Sequence, residues 1–482
     1  MGPWPRLIVL LAVTATVLCT PLINDPEPGK EWPGRQSVKQ PSDPENNSEK
    51  LQNETEKVPV TTSSVTEQFE VPEEAQTLGK TAFDEKVDYT GAQVWKVAND
   101  KNNIRATLGR LRRRNLIQTW GGNHSHVDVF IKSNAIENVT RIFQRERIPY
   151  EVVIDDLQRR INEENPPLDE NDLELQDRQG HRMTWKQYHR LADIHGFMDY
   201  LAKTYPSIIS VNSIGKSYEG RDLKVLRISD GKKGNKAVFI DGGIHAREWI
   251  SPATVTYFIN QFAENFDVES DDIKNIDWYF LPVVNPDGYE YTHVGDRLWR
   301  KNRKPTVGGR ACIGADLNRN FGYRWGGKGA SSNPCSDIYR GSRAFSEPES
   351  RAVSDFIKNS AANFSAYLTY HSYGQYLLYP WGYDNAVPPD HKELDVVGKN
   401  IAQAIRDAGG SSYQVGSSSG LLYPAAGGSD DWAKGQGIKY TYTVELSDTG
   451  RYGFVLPTSY IVPVAKESLA GLRVLAKQLH AH

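Results

Sequence analysis

From residue 183 to residue 482 the chain alternates short apolar runs with amphipathic stripes, and this alternation constrains the fold more than any other feature. Ala237-Val238-Phe239-Ile240 reads as a buried strand, and Val255, Phe258, Ile259 and Phe262 supply the i, i+3, i+4, i+7 stripe of a helix after it. Residues 278–284, 364–370 and 439–444 are further strand candidates, and Phe197, Met198, Leu201 and Tyr205 share one helical face. Ser346-Glu347-Pro348-Glu349 reads as a capping box ahead of Ala352, Val353, Phe356 and Ile357. Strands alternating with helices predict an α/β fold, a mixed central sheet with helices on both faces. Ligands in such sheets gather where strands end.

At 482 residues the chain is long enough for two to three units, and the remainder divides by composition. Arg6 followed by the apolar stretch from Leu7 to Leu18 predicts a secretory signal peptide over residues 1–20. Residues 21–86 are rich in Pro, Ser, Glu and Asn and almost free of aromatics, so they read as a disordered polar linker. Gln93-Val94-Trp95-Lys96-Val97 and Val127-Asp128-Val129-Phe130-Ile131 alternate like half-buried strands, with helical patches over 104–116 and 134–146. A small α/β unit over 87–161 accounts for these. The run Arg112-Arg113-Arg114 reads as a solvated helix face. Residues 162–182 are polar, contain Pro166-Pro167, and read as an exposed connector open to proteolysis.

Three cysteines are too few for a disulfide-built scaffold, and removal of the signal leaves Cys312 and Cys335 to pair in an oxidising compartment. Asn46, Asn53, Asn123, Asn138 and Asn363 head glycosylation sequons. A net charge of −3 gives no push toward nucleic acid, and no apolar run is long enough to span a membrane.

The polar motifs follow the strands. His245 and Glu248, spaced i, i+3 just after the strand 237–240, can face one point, although His-x-x-Glu alone is a common accident. His371 directly after 364–370 supplies a third donor. Two histidines and one carboxylate are the ligand set of hydrolytic zinc, whose fourth position is kept for water. Glu445, placed where the run 439–444 ends, is the candidate base. Arg300 and Arg319 offer positive charge for an oxyanion and for a substrate carboxylate.

Together these motifs resemble the secreted zinc metallocarboxypeptidases of the pancreatic carboxypeptidase A/B family in their procarboxypeptidase form. Five blocks in family order carry the resemblance. They are Asp241-Gly242-Gly243-Ile244-His245-Ala246-Arg247-Glu248-Trp249-Ile250, Arg297-Leu298-Trp299-Arg300-Lys301, Asp316-Leu317-Asn318-Arg319-Asn320, His371-Ser372-Tyr373, and the stretch from Glu445 to Phe454. The resemblance implies His245, Glu248 and His371 as ligands of one Zn2+ per chain, Glu445 as general acid/base, and Arg300 as the group polarising the scissile carbonyl. It implies Arg247 in substrate binding, with Asn318, Arg319 and the lid Tyr423 clamping a free C-terminal carboxylate. It also implies a disulfide between Cys312 and Cys335, and an activation domain over 87–161 that covers the cleft.

Specificity follows from Gly427-Gly428-Ser429-Asp430-Asp431-Trp432, where the family's pocket-floor position holds Asp430. A carboxylate there favours C-terminal Lys or Arg, as in B-type members, and Ser418 agrees, since A-type members carry a bulky apolar residue at that position. Gly382 departs from the B-type pattern, which has serine. The expected protein is a secreted monomeric zymogen acting on peptide or protein C-termini. An activating protease would cut at Arg159, Arg160, Arg178 or Arg182. Three alternatives stay open: an inactive binding protein of this fold, an A-type enzyme preferring apolar C-termini, and a related amino-acid deacylase.

Overall fold

The computed structural model describes residues 86–481 apart from 100, 124, 179, 308, 310 and 311, so the expected signal peptide, nearly all of the linker and the sequons at Asn46 and Asn53 lie outside the described residues. Four strands, β1 (Gln93–Ala98), β2 (Gln118–Gly122), β3 (His126–Ile131) and β4 (Tyr150–Ile154), form an antiparallel sheet in the order β2-β3-β1-β4. The period-two pattern of β1 sets its two faces. Trp95 and Val97 pack with Ile104, Leu108 and Phe143 of the helices Asn102–Arg113 and Ile136–Glu146. Val94, on the other face, joins Trp120, Phe130 and Ile154 against Leu298, Tyr373, Phe454 and Val455 of the larger unit. Arg112, Arg113 and Arg114 are exposed, as the reading of a solvated face requires.

The larger unit is built on eight strands: β5 (Ile209–Lys216), β6 (Asp222–Ile228), β7 (Lys236–Asp241), β8 (Ile276–Leu281), β9 (Asn363–Ser372), β10 (Tyr376–Tyr379), β11 (Gln414–Ser417) and β12 (Tyr440–Leu446). Their order is β11-β10-β12-β9-β7-β8-β6-β5. The central strands β12, β9, β7 and β8 run parallel, and β5, β6 and β10 supply antiparallel neighbours, so the sheet is mixed. Both faces are covered. Val238, Ile240, Leu368 and Tyr370 share a core with the helices Leu191–Thr204, Ile250–Asn265, His391–Asp407 and Ile461–His480. Phe239 and Tyr367, pointing the other way, pack with Val353, Ile357 and Trp432 of the helices Pro348–Asn359 and Ser429–Gly435. Among the described residues no helix is long and apolar enough to cross a membrane.

Three local expectations are corrected. Residues 162–182 are not simply an exposed connector, because they hold the end of helix Leu157–Glu164 and the helix Glu170–Arg178. Glu164 is buried and bidentate with the equally buried Arg297, whose guanidinium also donates to Arg247 O and Phe454 O. The capping box does not form. The Ser346 hydroxyl donates to Glu347 Oε1, Glu347 is the N-cap, and the Glu349 carboxylate accepts from Asn302 Nδ2 and Tyr218 N. Glu445 lies within β12 instead of closing it, since pairing with β9 continues through Leu446.

Candidate active site

At the end of β7 the chain turns through Gly242-Gly243 into His245. Gly243 has φ +61°, and a Cβ there would meet Pro252 Cγ at 2.9 Å, so this turn requires glycine. The turn delivers His245 and Glu248 just ahead of helix Ile250–Asn265, with His245 Nδ1 2.8 Å from Glu248 Oε1. His371 on β9 and Glu445 on β12 are register partners in parallel strands, so both side chains leave the sheet on one face. His371 Nδ1 lies 3.1 Å from Glu248 Oε2 and 3.2 Å from His245 Nδ1. The three predicted ligands therefore meet, their donor atoms all within 4.8 Å of one another.

The donor chemistry fits zinc. Each histidine turns its Nε2 outward, His245 to Asp316 Oδ1 at 3.1 Å and His371 to Thr369 Oγ1 at 3.1 Å, and both turn Nδ1 toward the shared carboxylate. Two imidazole nitrogens and one carboxylate oxygen converging in a buried site make up a three-ligand catalytic zinc set. Burial alone would raise the Glu248 pKa, but His245 and His371 outweigh it and hold the group below the usual carboxylate range. Burial likewise opposes charge on His371, yet Glu248 and Glu445 raise its pKa to about 9.

Arg300 stands beside this cluster, its Nη1 3.8 Å from Glu248 Oε1 and its Nε and Nη2 at 3.1 and 2.9 Å from Asp316 Oδ2. Burial disfavours the Arg300 charge, but Asp316 and Glu248 more than restore it. Asp316 is the functional residue that sequence reasoning missed. Its two oxygens orient His245 and Arg300 separately, and burial is overcome by Arg300 and His245, which hold it well below the ordinary carboxylate range. It stood in plain view two residues before Asn318, but a partner 71 positions away leaves no local signal.

Glu445, Asn318, Arg319, Tyr423, Ser418 and Asp430 line one cavity with the three metal donors and Arg300. Burial raises the Glu445 pKa to about 7, His371 lowering it and Glu248 raising it. Asn318 and Arg319 lie in the turn Leu317–Arg319, where Asn318 Oδ1 accepts from Ser429 N at 2.9 Å and Arg319 donates to Gly329 O and to Asn318 O. Tyr423 is 53% exposed at the rim. Asp430 is buried, and Ser418 Oγ lies 3.5 Å from its Oδ2. Arg247 is the predicted residue set apart from the cavity. Its guanidinium carbon sits 4.0 Å from the centre of the Phe454 ring, with Nη1 3.5 Å from Leu298 O. Cys312 and Cys335 are joined as a disulfide.

The small unit contributes Trp120, Gly121 and Gly122 to the same cavity, which sequence reasoning did not foresee residue by residue. Gly121 packs so closely that a Cβ would lie 3.1 Å from the Tyr373 ring. Asp128 accepts from Tyr373 OH at 2.7 Å, and Asn123 Nδ2 donates to Tyr376 OH at 3.1 Å.

Residues 194–471 match the family described as zinc carboxypeptidase, and residues 95–164 match the carboxypeptidase activation peptide. The chain is 49% identical over 295 residues to carboxypeptidase B of Astacus astacus, covering 61% of this chain and 97% of that one. It is 39% identical over 396 residues to carboxypeptidase A1 of Bos taurus, covering 80% and 93%. The crystal structure of thrombin activatable fibrinolysis inhibitor superposes with a TM-score of 0.75 at 35% identity, covering 82% of this chain and 100% of that one. The chain belongs to the zinc carboxypeptidases, hydrolases made as zymogens with an activation peptide ahead of the catalytic domain.

Proposed function

We propose that this enzyme is secreted, is activated by a protease, and releases C-terminal Lys or Arg from peptides. The observation that carries the basic preference is Asp430, a buried carboxylate on the cavity wall that accepts a long 3.5 Å hydrogen bond from Ser418 Oγ, a hydroxyl shared with Tyr379 O at 3.3 Å. A buried carboxylate with such weak partners favours a substrate cation, which would restore the interaction that water no longer provides. Its neighbour Asp431 is already satisfied, accepting from Gly382 N at 2.7 Å and Tyr383 N at 2.9 Å. Relatives bear both A and B names, so the side chains of the pocket are what favour the B-type reading over the A-type one.

Each side chain then has a task. His245, Glu248 and His371 would hold zinc, which when bound supplies Lewis acidity toward the scissile carbonyl and lowers the pKa of a water. Glu445 takes the proton from the attacking water and returns it to the leaving amine. Arg300, fixed by Asp316, stabilises the charge developing on the carbonyl oxygen. Asn318, Arg319 and Tyr423 receive the terminal carboxylate, so an internal peptide bond leaves these groups unpaired and is rejected. Phe454 covers Arg247 and is itself packed on Trp120, so a substrate role for Arg247 requires departure of the activation domain. The processed enzyme should cleave peptides ending in Arg and Lys about a hundredfold faster than one ending in Phe, in terms of kcat/KM. A zinc chelator should abolish all three reactions. Equal rates across the panel would refute the basic pocket, and full activity in chelator would refute the metal role.

We place activation between Arg178 and Arg182. Arg159 and Arg160 lie inside helix Leu157–Glu164 and pair with Asp155 and Glu163, so cleavage there requires unwinding the helix. Arg182, by contrast, has a side chain 70% exposed beyond the last turn of Glu170–Arg178. N-terminal sequencing should find the exported chain starting near residue 21 and the active form starting between residues 179 and 183. An active form starting at 160 or 161 would overturn this placement, and a first residue of Met1 in the medium would overturn the signal peptide. A light-scattering mass of one chain is expected.

A further inference from the structure

Asp241 is a buried carboxylate to which none of the roles above gives work. It ends β7 at 1% exposure, and it accepts hydrogen bonds from Thr369 Oγ1 at 2.7 Å and from the Tyr367 hydroxyl. Tyr367, Thr369 and His371 alternate along β9 and so share one face, and Thr369 is the register partner of Asp241. Burying a charge between two neutral hydroxyls is costly, so its place on this face calls for a reason.

The hydrogen-bond inventory supplies one. A threonine hydroxyl has a single proton, and here it goes to Asp241 Oδ1. The Thr369 oxygen can then only accept from His371 Nε2, 3.1 Å away. That fixes the proton on Nε2 and leaves Nδ1 with a free lone pair, aimed at Glu248 and His245. His245 obtains the same result directly from Asp316. We propose that Thr369 and Asp241 form a positioning relay for His371, locking the tautomer and ring orientation that let its Nδ1 bind the metal. The relay rests on the reading of His371 as a zinc ligand. Partners behind a metal-bound histidine are worth about 10- to 100-fold in metal affinity.

The test is the zinc dissociation constant of the full chain, measured by competition with a chromophoric chelator. Thr369→Val and Asp241→Ala should each weaken zinc about 10- to 100-fold. Because both break one relay, the double variant should be no weaker than the worse single one. Thr369→Ser, which keeps the hydroxyl, should bind within about threefold of the parent chain, well inside the loss expected for a broken relay. Unchanged zinc affinity in Thr369→Val, or additive losses in the double variant, would overturn the relay. Should Thr369→Val not fold, Thr369→Ala against Thr369→Ser makes the same comparison. His371→Ala separates the two readings. If it binds zinc like the parent chain, the metal assignment itself fails, whereas loss of zinc in His371→Ala with no effect of Thr369→Val removes the relay alone.

Discussion

Replacing Glu445 with Gln should lower kcat by about 10³- to 10⁴-fold while the protein still binds one zinc and folds normally. Glu445 lines the cavity with the metal donors but is not one of them, so the nearly isosteric amide leaves the site intact and removes only the proton acceptor. The loss belongs at the upper end because the same group acts twice, first as base and then as acid. Steady-state kinetics and metal analysis of the purified variant check it. More than about one per cent residual turnover, well above the floor set by a lost general base, or co-purification without zinc, would refute the role.

The pH profile carries a second signature of the same group. Burial raises the Glu445 pKa from 4.5 to about 7, which favours the protonated form. A base must be ionised, so kcat/KM should rise with pH and level off above that pKa. A bound divalent cation favours the carboxylate and moves the rise downward, so its midpoint should lie between the two values. Glu445→Gln should flatten this limb.

Legibility in the sequence depended on how local each cue was. His371 follows an apolar run and Glu445 interrupts one, so both were visible as polar residues near the end of a buried strand. Their juxtaposition needed the parallel pairing of β9 with β12, which no local pattern encodes. The sheet itself was legible because β7 and β9 are apolar on both faces. Glu164 was not. It sits among polar residues beside Pro166-Pro167, and its partner Arg297 is 133 positions away. The capping-box motif misled for a related reason. Asn302 and the backbone at Tyr218, both distant in sequence, take the Glu349 carboxylate that would have closed the box. Thr369 and Asp241 were invisible as a pair, since a threonine in one strand and an aspartate at the end of another are individually ordinary.

Asp430→Leu should reverse the substrate preference. Without the carboxylate, the cation of a C-terminal Lys or Arg enters a buried site unpaired, which costs about 3–5 kcal/mol and lowers kcat/KM by about 10²- to 10⁴-fold. Peptides ending in Phe should gain, because an apolar ring no longer has to sit against a buried charge. The complication is Asp431. Burial raises its pKa first, and the charge of Asp430 raises it further. Removing Asp430 relieves Asp431 and lets it ionise more readily, which would preserve part of the activity on basic C-termini from one position further back. Its oxygens are held by Gly382 N and Tyr383 N, so it cannot swing in to replace the lost contact. Asp430→Leu should therefore keep a small residual activity on Arg-terminated peptides that the added change Asp431→Asn removes. A single variant that still hydrolyses Arg-terminated peptides at the parent rate would show that the pocket's charge resides elsewhere.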